Sequence, residues 1–156
     1  MGAFSNDRRK NNGYRLAHKR FMLDLPADWA DRSVYRFEGP LEDGIQQHIA
    51  VTIAHDLDIT DLEAYAGLQI KALEKELQGY HELKRGPLAL GNGLAAFELV
   101  YQWCPAETVQ LLQRQVWALR NRTGYTLVAT FSPNTWKTLG AQVDRIIRSF
   151  TIPAPE

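Results

Sequence analysis

Between residues 94 and 131 the chain alternates three β-prone runs with connections too short to hold anything but turns. LAAFELVYQW (94–103), VQLLQRQVWALR (109–120) and YTLVATF (125–131) are separated by CPAE and NRTG, and the candidate 81–85 joins them through GPLALGNG. A parallel crossover needs a dozen or more residues, so strands joined this tightly must lie antiparallel to their neighbours. Upstream, 14–25 alternates imperfectly and stops at Pro26, 33–37 is a second short strand, and GPLEDG (39–44) reads as a loop. The run 47–55 is a third strand, with Ile49, Val51 and Ile53 on one face and His48, Ala50, Thr52 and Ala54 on the other.

Two segments carry the helical period instead. In DITDLEAYAGLQIKALEKELQGY, Thr60 and Glu63 suit a capping box, and Leu62, Ala66, Ile70, Leu73 and Leu77 form an apolar stripe that Gly79 terminates. A second helix opens at Ser132-Pro133 and turns Trp136, Leu139, Val143, Ile146, Ile147 and Phe150 inward. The order β-β-β-α-β-β-β-β-α predicts an α+β fold, an antiparallel sheet sandwiched with two main helices.

A chain of 156 residues is long enough for one self-sufficient core. We expect a single domain over residues 14–156 behind a flexible tail at 1–13. Lys plus Arg and Asp plus Glu both total 18. The resulting zero net charge offers nothing to nucleic acid, and it leaves little repulsion against self-association. Cys104 is the single cysteine, which excludes an intrachain disulfide and points to a reducing compartment. The basic amino-terminal stretch has no apolar run behind it, and no window approaches the roughly 18 apolar residues of a membrane span. The predicted location is the cytoplasm.

Catalytic signatures are missing from the sequence. No G-x-S-x-G, phosphate-binding or dinucleotide motif occurs, and the GNG at 91–93 lacks a third glycine and a following helix. His18, His48, His55 and His81 are scattered, with no metal-ligand spacing. His55 and Asp56 adjoin, but neighbouring strand residues point to opposite faces, and Cys104 has no activating partner in sequence. We expect no enzyme, no cofactor and no metal.

Polar residues inside apolar rows say more. Gln69 falls among Leu62, Ala66, Leu73 and Leu77, where a shift of one position would have placed Leu68. One face of 109–120 reads Val109, Leu111, Gln113, Gln115, Trp117, Leu119. A buried amide is usually bonded within the protein. Several in one apolar surface also suit a hydrophobic ligand that exposes backbone or small polar groups. The turn DLPADWADRS has the same two-sided character: Trp29 can plug one end of a core while Asp31 and Ser33 satisfy turn amides.

LDLPADWADRSVYRF, DLEAYAGLQIKALEKELQGY, GNGLAAFELVYQW, LQRQVWAL and VDRIIRSFTI together resemble the DcrB-related family with a Mog1/PsbP-like fold. Within it they are most similar to the Eag chaperones of bacterial type VI secretion. The resemblance runs over 14–152. It implies a cytosolic homodimer, neither membrane-embedded nor nucleic-acid binding. Such a chaperone would shield the amino-terminal transmembrane segments of an effector with a PAAR domain before export. It implies a structural role for Pro26, Trp29, Asp31 and Ser33, and a client groove including Val34, Thr52, Gln69 and Gln115. Arg36 departs from the apolar residue expected two places after Val34. The alternative is a generic protein-interaction module of the same fold that docks a folded partner.

Overall fold

A computed structural model describes residues 5–9, 13–18 and 21–153, with side chains described from 21 onward. The chain divides into two compact units, Met1–Arg32 and Ser33–Glu156. The first is a three-stranded antiparallel meander of β1 (Ser5–Arg9), β2 (Gly13–His18) and β3 (Phe21–Leu25). The stretch expected as a tail thus contributes β1. The strand predicted over 14–25 is instead a hairpin, in which His18 pairs with Phe21. No Gly, Asn or Pro lies between those two residues to signal the break in the sequence.

The second unit is a six-stranded antiparallel sheet with two helices. Its strands are β4 (Val34–Glu42), β5 (Ile45–Ala54), β6 (His81–Ala89), β7 (Ala95–Ala106), β8 (Val109–Arg120) and β9 (Thr123–Phe131). They lie in the order β4-β5-β9-β8-β7-β6, so the last hairpin inserts between β5 and the rest. GPLEDG is not a loop. β4 runs through Gly39-Pro40 by way of a register shift between Glu38 and Leu41 and turns at Asp43-Gly44, both with positive φ. A proline is tolerated there because an edge strand at a bulge need not donate to a ladder.

Helix α1 (Leu62–Glu76) is capped by Asp61, whose carboxylate accepts from the Ala64 amide at 2.9 Å. That replaces the predicted Thr60–Glu63 box. A carboxylate caps as well as a hydroxyl and also suits the positive end of the helix dipole. Helix α2 (Pro133–Arg148) starts at Ser132 as predicted, with Thr135 completing a reciprocal box.

The helices lie on opposite faces. α2 covers β8 and β9, closing a core of Val100, Leu112, Val116, Ala118, Leu127, Ala129, Phe131, Val143 and Ile147. α1 covers β7 and β8, over Leu99, Tyr101 and Trp117. Ile146, expected inward on α2, is largely exposed.

Within the α2 face the buried pair Arg114–Glu98 anchors an ion cluster that reaches the surface. Arg114 donates through Nε to Glu98 at 2.9 Å and through Nη1 to Asp144 of α2 at 2.8 Å. Lys84 reaches Glu98 from β6 at 3.1 Å, and Arg148 donates to Asp144 at 2.9 Å. Burial pushes the Asp144 carboxyl up, but hydrogen bonds and charge from Arg114 and Arg148 outweigh it and hold it below its ordinary range.

Candidate functional site: a trough beside the first helix

Directly paired residues of an antiparallel sheet share a face, so the register assigns every side chain to a side. On the α1 side the pairings give successive rows across β4, β5, β9 and β8. The first is Val34, Thr52, Thr126 and Trp117; the second is Arg36, Ala50, Val128 and Gln115; the third is Glu38, His48, Thr130 and Gln113. α1 lies over β7 and β8, so the part of this face on β9, β5 and β4 is flanked by the helix and not roofed by it. Ala50, Thr52, Thr126 and Val128 are half-buried there, whereas Leu127 and Ala129, on the other side of β9, are buried.

One flank of α1 forms the wall of this trough. Glu74 bonds to Arg85 of β6, which turns its own flank away toward that edge. Tyr65, on the opposite flank, places its hydroxyl over Gly124 of β9, so closely that a methyl group there would lie 2.6 Å from it. A side chain at that position would have to push Tyr65 or Leu57 aside. Gln69 follows Tyr65 by one turn, so it shares the flank that overlooks the trough. It is exposed, not part of the buried stripe, and Leu68 beside it is exposed as well.

The five residues expected to line a groove therefore border one surface. Val34 and Arg36 form the β4 rim, Thr52 the floor, Gln115 the floor next to α1, and Gln69 the wall. Val34 is 59% exposed. Arg36 does not interrupt the floor, because it stands on the edge strand with its guanidinium 3.8 Å from Glu38. The sequence did not reveal the floor residues Ala50, Thr126 and Val128. Small and β-branched residues on one strand face are ordinary core in a single sequence, and only the pairing of β5 with β9, together with the packing of α1 against β7 and β8, sets them beside the helix.

The two strand glutamines differ. Gln113 is fully engaged: its Oε1 accepts from the Tyr101 hydroxyl at 2.7 Å and from Trp103 Nε1 at 2.8 Å, and its Nε2 donates to Thr130 at 2.9 Å. Gln115 donates through Nε2 to the Tyr101 hydroxyl at 2.8 Å. Burial pushes that hydroxyl up to about 12, against the lowering effect of the bond from Gln115, so it remains a donor at neutral pH. Gln113 is a structural amide, and Gln115 has one bonded end at the edge of the trough.

Elsewhere the turn around Trp29 holds, with its amide donating to the Pro26 carbonyl at 3.2 Å. The indole does not plug a core, however, since Trp29 is 59% exposed. Asp31 and Ser33 are half-buried. His55 and Asp56 are both exposed at the end of β5, and Cys104 is half-buried against Gly79. Among the described residues no group of three His, Cys, Asp or Glu side chains could hold a metal ion, and no helix is long and apolar enough to cross a membrane.

The DcrB family model matches residues 22–149, most of the chain. The protein belongs to the DcrB family. No curated protein sequence matches it. Among solved structures it is similar to PA94 of Pseudomonas aeruginosa, described as a protein of unknown function and a candidate regulator. The two share 22% identity and a TM-score of 0.73 over 99% of this chain and 100% of that one. It is also similar to the cyanobacterial PsbP of Synechocystis sp. PCC 6803, at 10% identity and a TM-score of 0.55, over 98% and 94% of the two chains. At these identities the likeness establishes the fold, and the PsbP-like architecture expected from the sequence is the one observed.

Proposed function

We propose that this DcrB-family protein is a cytosolic chaperone. It shields the amino-terminal transmembrane segments of a type VI secretion effector that also carries a PAAR domain. The observation that carries this reading is the convergence of Val34, Arg36, Thr52, Gln69 and Gln115 on one open trough. Its dimensions suit the client. β5 has ten residues, about 33 Å of extended chain, and a spanning helix of about 20 residues is roughly 30 Å long. β9, β5 and β4 lie about 4.8 Å apart, which gives room for one helix of about 10 Å diameter.

The chemistry also suits it. Small floor residues allow close approach, and Gln69 and Gln115 offer amides to polar backbone exposed by small-residue helix faces. A homodimer would present two such troughs, one for each of two hydrophobic segments. The zero net charge favours that association.

The test is co-expression with an effector fragment bearing such segments, followed by size exclusion with light scattering. A soluble complex containing two copies of this chain is expected. A fragment that stays aggregated beside a free monomer would refute the reading. PA94's description as a candidate regulator favours a second reading, a module that docks a folded partner. In that case binding would survive deletion of every hydrophobic segment from the partner.

A further inference from the structure

The six-stranded sheet has two edges, and they are not equivalent. Among the described residues β4 pairs with β5 alone and β6 with β7 alone. An unpaired edge offers a row of backbone N–H and C=O groups to another strand. β6 engages its charges within the chain: Lys84 reaches the buried Glu98, and Glu82 takes the Arg85 guanidinium. Its regular run, 84–89, also contains Pro87, which has no N–H to donate.

β4 differs on both counts. Its regular run, 34–38, is free of proline, and the register shift comes only after Glu38. Among the described residues the side chains of Arg36 and Glu38 form an ion pair only with each other, at 3.8 Å. Between them Phe37 stands on the opposite face and is 62% exposed.

Two copies of β4 paired antiparallel about a two-fold axis place one residue opposite itself. With Arg36 or Glu38 at that centre, like charges face each other, which destabilises a ladder. With Phe37 there, Arg36 faces the partner's Glu38 and Glu38 faces the partner's Arg36. Tyr35 then meets the partner's Gly39, and Pro40 falls at the margin of the ladder. No other register of this strand pairs opposite charges.

We propose that two copies of this chain join along β4, antiparallel and centred on Phe37, into one continuous sheet. This rests on the homodimer of the chaperone reading and says how its two troughs meet. The two-fold axis stands perpendicular to the sheet, so both α1 faces look the same way. The two floors become one, six strands and about 24 Å wide between the α1 walls. Two helices of about 10 Å diameter fit there side by side. The neutralised Arg36 and Glu38 pairs form the line between them. On the other face Phe37 meets the partner's Phe37, an aromatic pair that adds to the ladder.

The test is charge reversal in the full chain, read by light scattering. The parent should be a dimer. Arg36→Glu and Glu38→Arg each set like charges opposite one another twice per dimer and should weaken it about tenfold or more. An equal mixture of the two variants should recover the dimer, since each chain supplies the sign that the other lacks. That recovery separates lost pairing from lost folding. In a Cys104→Ser background, Phe37→Cys should form a disulfide-linked dimer when treated with an oxidant such as copper phenanthroline. Leu41→Cys, comparably exposed but far from the axis, should not. A parent dimer that ignores both reversals and leaves Phe37→Cys unlinked overturns the β4 pairing alone. A monomeric parent whose Phe37→Cys variant stays unlinked overturns the pairing and the homodimer together, while capture of a hydrophobic helix by the single chain is read separately by co-elution.

Discussion

Replacing Gln113 by leucine removes the acceptor that Tyr101 and Trp103 share and the donor that Thr130 accepts. Tyr101 is sealed from solvent, so its hydroxyl proton would be left unpaired at a cost of about 1–3 kcal/mol. Trp103 is half-buried, so its N–H recovers water in part and adds less. A total of roughly 2–4 kcal/mol follows, and at about 2–4 °C per kcal/mol for a chain of this size the melting temperature should fall by about 4–16 °C. Gln115→Leu differs in kind. The Tyr101 hydroxyl still donates to Gln113 and loses only one incoming bond, worth about 0.5–1.5 kcal/mol and offset by added apolar surface. Its melting temperature should stay within about 4 °C of the parent, while capture of a hydrophobic helix weakens. Calorimetric melts of both variants beside a pull-down decide the matter. Equal melting losses, or a Gln113→Leu variant as stable as the parent, would refute this division of roles.

Arg114→Met should cost about 1.5–3 kcal/mol in urea unfolding, because it takes the charged hydrogen bonds from Glu98, whose side chain is 4% exposed, and leaves Lys84 as its cation, whereas Arg114→Met with Glu98→Leu should recover most of that loss. Asp144 has a folded pKa below its unfolded value of about 3.9, so its stabilisation is complete above that value and is lost as pH falls through the folded pKa. Stability titrated from pH 6 to pH 2 should therefore show a shallower acid decline in Asp144→Asn than in the parent. Trp29→Ala should cost well under the roughly 3–5 kcal/mol of a buried aromatic, because the indole is largely in water, and a thermal melt reads it directly.

Much of the fold was legible because its signals were local. Ser132-Pro133, the turns after 103 and 120 and the alternation of β5 each carry their own instruction, and all appear close to where the sequence puts them. The pairing of His18 with Phe21 did not show because no Gly, Asn or Pro separates them in the sequence. GPLEDG misled because proline and glycine at a bulged edge strand look like a loop. The site was half legible. Gln115 stood out as a polar residue in an apolar row, but so did Gln113, and only the partners Tyr101, Trp103 and Thr130 distinguish a structural amide from one at the trough. Trp29 was misjudged because a large indole after proline suggests a plug, whereas it stands largely exposed.

The central claim, that the α1-side trough receives a hydrophobic helix, is tested most directly by methyl NMR of the protein titrated with a soluble-carrier fusion of one apolar helical segment. The methyl groups of Val34, Ala50, Thr52, Thr126 and Val128 should shift together and saturate at one helix per chain. Those of Val116, Leu127, Ala129 and Val143, on the α2 side, should hold their positions. Shifts centred on the α2 side or on β6, with the trough methyls unmoved, would contradict the account.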